Sequence, residues 1–185
     1  RSPGFVVIAV LTLSLGIGAN TAIFSVVHAV LLRPLPYAHP EQLALLWTKL
    51  DKIGLEQNWV SEPEVLDFRE QSKLFESFGV LTSTSLILTG SGEPEQVKGA
   101  EVSSNFFSVL GARVKIGRDF APEEEKPGAA RVAILSYGFW QNRLGGQPSV
   151  IGSTIQLSGR PATVVGVLPA NFELMVPQEA LVPAP

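Results

Sequence analysis

The sequence contains no cysteine and only two histidines among its 185 residues. Without thiols there is no disulfide framework, no zinc–thiolate site and no sulfur nucleophile. His28 falls inside an apolar run and His39 in a proline-rich loop. A Ser–His–acid triad would have to be built on His39, and no G-x-S-x-G elbow accompanies it. The phosphate-cradling G-x-x-x-x-G-K-[ST] pattern is also missing, so the chain does not hydrolyse ATP by the P-loop route. Charge is missing from one whole stretch. No Asp, Glu, Lys or Arg occurs between Phe5 and Leu32, and the first acidic residue is Glu41.

That gap divides the chain. Of the 14 basic residues, Arg1 and Arg33 flank the uncharged run, and the other twelve share the remainder with all 17 acidic residues, a net charge of −5. So acidic a segment offers no footprint for nucleic acid, whose phosphates need clustered Lys and Arg. The expected division is residues 1–36, a transmembrane helix and its boundary, and residues 37–185, a soluble domain.

The run from Phe5 to Leu32 holds 28 residues. As a helix rising ~1.5 Å per residue it reaches roughly 42 Å, more than the ~30 Å hydrocarbon core of a bilayer. It is too long for the apolar region of a signal peptide, about 7–15 residues, and shows no convincing A-x-A cleavage site. Gly16 and Gly18 weaken this helix without breaking it, so it is expected to run unbroken from Pro3 to Leu32. Ser14, Gly18 and Ala22 recur every four residues and line one face, with Gly16 and Asn20 placed close to it. Small residues let helix backbones approach, and Asn20 or Thr21 can hydrogen-bond across such a contact. This face is expected to pack against other transmembrane helices. Arg1 and Arg33 leave the positive-inside rule nearly balanced, while the acidic domain favours the outer side of the membrane.

After Pro34 and Pro36, which stop the helix, the pattern alternates between strand and helix. Leu43–Lys49 reads as a strand and Lys52–Trp59 as a loop. Ser61-Glu62-Pro63-Glu64 has the form of a capping box opening a helix toward Ser72, with Val65, Leu66 and Phe68 facing inward. Leu74, Phe75 and Phe78 are expected to cluster. Val80–Thr89 and Val97–Val102 read as a hairpin around Gly90–Pro94. A short helix through Phe106, Phe107 and Leu110 ends at Gly111, followed by a strand at Arg113–Ile116. Pro122–Ala130, with its three consecutive glutamates, reads as a solvated loop, and Arg118 with Asp119 as a local ion pair. Val132–Leu135 is an apolar strand feeding a helix from Tyr137 to Leu144. Thr154–Leu157 and Thr163–Val167 form a second hairpin around Ser158–Pro161. The fold class expected is α+β: a transmembrane helix, then a mixed α/β sandwich with helices on one face. Phe106, Phe107, Leu110, Val132, Ile134, Trp140 and Val165 are expected to be buried in mutual reach. No catalytic, metal-binding or cofactor-binding set emerges.

Several short motifs occur in a fixed order. The first, Leu15-Gly16-Ile17-Gly18-Ala19-Asn20-Thr21-Ala22-Ile23-Phe24-Ser25, is followed by Leu31-Leu32-Arg33-Pro34-Leu35-Pro36-Tyr37. Asp67-Phe68-Arg69, Gly92-Glu93-Pro94-Glu95, Val102-Ser103-Ser104-Asn105-Phe106-Phe107 and Leu110-Gly111 come next. Gly117-Arg118-Asp119-Phe120, Leu135-Ser136-Tyr137-Gly138-Phe139-Trp140, Gly159-Arg160-Pro161 and Val164-Val165-Gly166-Val167-Leu168-Pro169 complete the series. In this order they resemble MacB/FtsX-type ABC transporter permeases, above all the duplicated orphan permeases of acidobacteria. The resemblance implies a MacB-like periplasmic core domain placed between the first and second of four transmembrane helices, in the bacterial inner membrane. It implies as partners the permease's other helices, membrane lipid, a separate ATPase subunit and periplasmic proteins. It implies no catalytic residues, and the chain, ending at Pro185, is expected to be a fragment. The rival readings are a self-contained single-pass binding or adaptor domain, and a tethered hydrolase using His39 or a carboxylate pair in a cleft.

Overall fold

The computed structural model describes residues 3–31, 37–46, 48–50, 55–58, 60, 62–90, 92–172, 174 and 178–184. The chain divides into two compact units, Arg1–Leu35 and Pro36–Pro185. Among the described residues the first is a single helix, α1 (Pro3–Leu31), unbroken as expected; the expected last residue, Leu32, lies outside them. The most apolar part of its stretch Pro3–Val26 has a mean hydropathy of 2.0, and none of the stretch is buried by the rest of the chain. Inside an apolar medium every backbone polar group must be satisfied within the segment, and a continuous helix does this. The hydroxyls of Thr12 and Ser25 bond back to the carbonyls of Ile8 (2.9 Å) and Thr21 (2.8 Å), so they too are satisfied locally.

In the second unit a hairpin pairs β1 (Thr48–Leu50) with β2 (Leu55–Asn58). The stretch expected to be a loop thus supplies a strand: polar Leu55–Asn58 has no strand pattern, and its antiparallel partner is what holds it extended. Helix α2 (Glu62–Gln71) follows; Ser61, the expected cap, lies outside the described residues. The inward face expected of α2 is not buried, since Phe68 is 42% exposed and Leu66 more so. Phe75 and Phe78 do pack edge to face, with centroids 5.3 Å apart. Leu74 stands away from them, 92% exposed.

The main sheet contains β3 (Leu81–Thr89), β4 (Glu95–Val102), β5 (Ile116–Gly117), β6 (Val132–Leu135), β7 (Thr154–Leu157), β8 (Arg160–Val167) and β9 (Ala180–Pro183), in the order β5-β8-β6-β9-β4-β3-β7. β7 also pairs with β8. Six strands therefore close into a ring, with β5 added alongside β8. The strand expected at Arg113–Ile116 is shorter and lies later, where β5 meets Val167 and Gly166 of β8. β3 and β4 pair along their whole length, from Leu81↔Val102 to Leu88↔Glu95. The turn between β7 and β8 is two residues long rather than four. Ser158 (φ 53°) and Gly159 (φ 73°) both take left-handed conformations, and Leu157 pairs directly with Arg160. Two positive φ angles mark the turn type whose twist matches that of the strands.

Side chains alternate across this ring. Leu86, Leu88, Val97, Ala133, Leu135, Leu157, Ala162, Val164, Val167, Ala180 and Val182 form one buried cluster, to which every ring strand contributes. Phe139 and Trp140 of α4 (Tyr137–Arg143) pack on it. Ala100, Val102, Val132, Ile134, Val165 and Leu181 form a second cluster on the opposite face. There Phe106 and Phe107 of α3 (Phe106–Val109) cover the sheet. The continuous apolar run Val132–Leu135 is thus explained by burial on both sides. Helices lie on both faces of the sheet, so the expectation of one covered face gives way. Trp140 accordingly sits across the sheet from Phe106, Phe107, Ile134 and Val165, out of the mutual reach expected; Leu110 is only partly buried.

The pairing of β6 with β8 slips by one residue, Ala133↔Val164 followed by Ile134↔Gly166. The extra residue, Val165, forms a bulge. It changes the phase of β8, so that Val164 and Val167 face the same cluster while Val165 faces the other. A Cβ on Gly166 would lie 2.6 Å from the carbonyl oxygen of Arg118 and 2.8 Å from Val114 Cγ1, so only glycine fits this close approach.

Candidate functional site

Two places gather the residues singled out from the sequence: helix α1 and the joints of the domain. On α1, a turn of 3.6 residues spreads Ser14, Gly18 and Ala22 over an arc of about 80°. A Cβ on Gly18 would meet nothing within 4 Å, so a side chain there has open space within this chain. Gly16 and Asn20 do not belong to that face. Each lies two residues from Gly18 and hence about 160° around the helix. They line a shallow groove with Ala9, Thr12, Leu13 and Ile17 on the opposite side. The helix therefore carries a small-residue face and, on the side opposite it, a shallow groove walled by Leu13 and Ile17.

In the domain, several polar residues of the motifs bind the chain's own backbone, and others pair with side chains, as Glu95 does with Arg143. Arg118 forks onto Glu124, Nη2 to Oε1 at 2.6 Å and Nη1 to Oε2 at 3.0 Å. The pair expected between Arg118 and Asp119 is instead a bond from the guanidinium to the Asp119 carbonyl, 2.9 Å. Sequence adjacency favoured Asp119, but the turn Pro122–Glu125 brings Glu124 back over the arginine. Glu124 Oε2 also accepts from the Ala121 N–H at 2.8 Å, and Glu125 accepts from the Ser104 N–H. The expected solvated glutamate run is thus a pair of tethers. The bond from Arg118 holds the Glu124 carboxyl below the usual glutamate range, against partial burial. Burial raises the Asp119 carboxyl, although the Phe120 N–H (2.7 Å) and Arg118 oppose that shift.

The other motifs act similarly. Asn105 donates to the Phe78 carbonyl and Ser77 Oγ, both at 3.1 Å, while Ser103 Oγ accepts from the Val80 N–H at 2.9 Å. Ser136 caps α4 by accepting from the Phe139 N–H at 3.2 Å. The Trp140 indole donates to the Gln147 carbonyl at 3.0 Å, closing the loop after that helix. Gly117 takes φ 85°, where a Cβ would lie 2.1 Å from the Val165 carbonyl oxygen. These are joints between segments, and composition alone gave no sign that the polar ones reach backbone.

His39 lies in solvent, its Nδ1 3.5 Å from Glu41 Oε1. A shallow cleft of about 380 Å³ lies elsewhere, lined by Gly111, Arg113, Lys115, Pro169, Asn171 and Phe172 among others. Lys115 Nζ stands 4.5 Å from the centre of the Tyr137 ring. Among the described residues no three His, Asp or Glu side chains gather to hold a metal ion.

Comparison with known proteins places this arrangement. The model of the MacB-like periplasmic core domain matches residues 6–185, helix and domain together. The chain belongs to the MacB-like periplasmic core domain family. Its fold is similar to the extracellular domain of the noncanonic ABC-type transporter YknZ from Gram-positive bacteria, with a TM-score of 0.54 and 19% identity over 67% of this chain and 62% of that one. It is also similar to the periplasmic region of MacB from Actinobacillus actinomycetemcomitans, with a TM-score of 0.57 and 16% identity over 74% and 61%. The chain thus matches less than two thirds of the length of either solved domain. No curated protein matches it in sequence. The MacB-like domain is accordingly a mixed α/β unit that follows a helix long and apolar enough to cross a bilayer.

Proposed function

We propose that this MacB-like chain is the membrane-anchored extracytoplasmic part of an ABC-type transporter permease, and that it carries conformational change across the membrane without chemistry of its own. The observation that supports this most is α1 itself. It joins a family domain to an apolar helix none of whose Pro3–Val26 stretch is buried within the chain. In this reading Ser14, Gly18 and Ala22 form the face that meets the other helices of the permease, where small residues allow close backbone approach. The 1–36 and 37–185 division then separates the element that receives motion from the element that delivers it. A bacterial inner-membrane setting, a separate ATPase subunit and a periplasmic partner belong to the same proposal.

The test compares Gly18→Leu with His39→Ala in the intact membrane protein, scoring assembly and transport-linked activity. Gly18→Leu is expected to weaken assembly and activity while leaving the domain folded, and His39→Ala to change neither. A silent Gly18→Leu beside a His39→Ala that abolishes turnover would replace the permease reading with a tethered hydrolase. A self-contained single-pass adaptor would instead be indifferent to both.

A further inference from the structure

The strands of the ring are joined unevenly. β3 pairs with β4 from Leu81↔Val102 to Leu88↔Glu95, and β4 carries β9 from Gly99↔Ala180 to Val102↔Pro183. Across the ring β8 carries β7 from Thr154↔Thr163 to Leu157↔Arg160, and β6 from Val132↔Thr163 to Leu135↔Val167. These ladders make two lobes, β3-β4-β9 and β6-β8-β7, the second with β5 at its side. The lobes meet at two short seams. At the first, β3 pairs with β7 only at Leu88↔Leu157 and Thr89↔Gln156, and the Ser158 N–H adds a bond to the Ile87 carbonyl at 2.7 Å. At the second, β6 pairs with β9 only at Ile134↔Leu181 and Leu135↔Ala180, and the Ser136 N–H adds a bond to the Glu179 carbonyl at 2.9 Å.

Side-chain bonds follow the same division. Gln178 donates to Ser83, Gln96 donates to Ser85, and the Lys98 N–H donates to Glu179, all within the first lobe. Outside the seams the lobes are tied, among the described residues, by the half-exposed pair of Glu95 with Arg143 and by the bond from the Ser104 N–H to Glu125. The rest of the joint is apolar. Leu86, Val97 and Val182 of one lobe share a buried cluster with Leu135, Val164 and Val167 of the other. Hydrogen bonds are directional and weaken steeply when their partners are offset, whereas apolar burial is non-directional and survives a small slide. Packed elements shift past one another by slides of this kind. Parting the lobes would instead bare the cluster to water, so sliding is the motion this joint permits.

We propose that the ring is a shear joint: the lobe β3-β4-β9 slides against the lobe β6-β8-β7, and the two seams yield together. Each lobe is held by long ladders, so a displacement that breaks the pairing at one seam also shifts the register at the other. The domain thereby changes shape while both lobes stay folded. This inference rests on the strand pairings alone and does not depend on the transporter reading.

The test is amide hydrogen exchange on the full chain in detergent micelles, resolved by residue. Three amides report: Ser158 at the first seam, Ser136 at the second, and Val97, paired with Leu86 inside a lobe. Local openings expose amides at lower free energy than global unfolding, so both seam amides should be protected at least about tenfold less than Val97, and to a similar degree as each other. The chain has no cysteine of its own, so a Thr89→Cys, Gln156→Cys variant can pin the first seam. Antiparallel partners set their Cα atoms about 4.5–5.5 Å apart, within the roughly 4.4–6.8 Å that a disulfide spans. Oxidation should bring Ser136, at the opposite seam, up to the protection of Val97, and reduction of the same protein should restore the gap. The proposal is overturned if the seam amides of the unlinked chain are protected as well as Val97, or if only one seam is weak. It is equally overturned if the two cysteines do not link, or if linking them leaves the gap between Ser136 and Val97 unchanged.

Discussion

Replacing Glu124 by glutamine should destabilise the domain at neutral pH and have little effect in acid. Glu124 is the hinge of a small network: its two oxygens accept from both terminal nitrogens of Arg118 and from the Ala121 N–H. Its side chain is only 14% exposed, while that of Arg118 is 53% exposed. Hydrogen bonds to a charged group contribute roughly 1.5–3 kcal/mol when sheltered, whereas surface ion pairs contribute about 0–1 kcal/mol. With one partner sheltered and the other half in water, a loss of about 1–2 kcal/mol is expected for Glu124→Gln. Glutamine can keep the bond from Ala121 but presents a second donor to a donor. The pH dependence gives the sharper signature. Because the folded-state pKa of Glu124 is lowered, its stabilisation is fully present above the unfolded glutamate value and disappears as pH falls through the lower, folded one. Asp119 acts in the opposite sense. Its folded pKa is raised, so it opposes folding increasingly as pH rises through the interval from its unfolded to its folded value. The comparison is therefore made in an Asp119→Asn background, by denaturant unfolding monitored through tryptophan fluorescence at neutral and acidic pH. The gap between glutamate and glutamine should close in acid. An equal gap at both pH values, or none at neutral pH, would refute the assignment of Glu124 as an ionised tether.

Two further substitutions test packing and backbone geometry. Phe107 is fully buried and meets Phe106, Phe120 and Phe172 at centroid distances of 5.5, 6.2 and 5.8 Å. Phe107→Ala should cost about 3–5 kcal/mol of unfolding free energy, whereas Leu74→Ala, at a side chain almost wholly in solvent, should stay within about 0.5 kcal/mol. Gly117→Ala combines a left-handed conformation with a Cβ driven into the Val165 carbonyl, so it should lose more than the ~1–2 kcal/mol of the conformational term alone, read as a lowered denaturant midpoint. An unchanged midpoint would mean that β5 does not hold this backbone against β8.

The sequence by itself determined what local chemistry can decide. The charge-free run from Phe5 to Leu32 admits only a long apolar helix, because nothing in it stops one and length sets what it can span. The strands β3, β4, β6 and β7, the cap at Ser136 and the buried ranks of Phe106, Phe107, Val132 and Ile134 were legible for a similar reason: alternation and capping act over a few neighbouring residues. Relations between distant segments were decided only by tertiary structure. Trp140 and Phe107 are equally apolar, and only the alternation of a sheet covered on both sides sends them to opposite faces. Adjacency pointed Arg118 to Asp119, but a tight turn brought Glu124 within its reach. The polar stretch Leu55–Asn58 became a strand because β1 offered it hydrogen bonds, and Phe68 remained in solvent because burial needs an opposing surface, which no helical pattern can supply. The closing pair between β7 and β3 depends on how far two strands distant in sequence overlap; that overlap is fixed by the packing of the whole domain and written in no single segment.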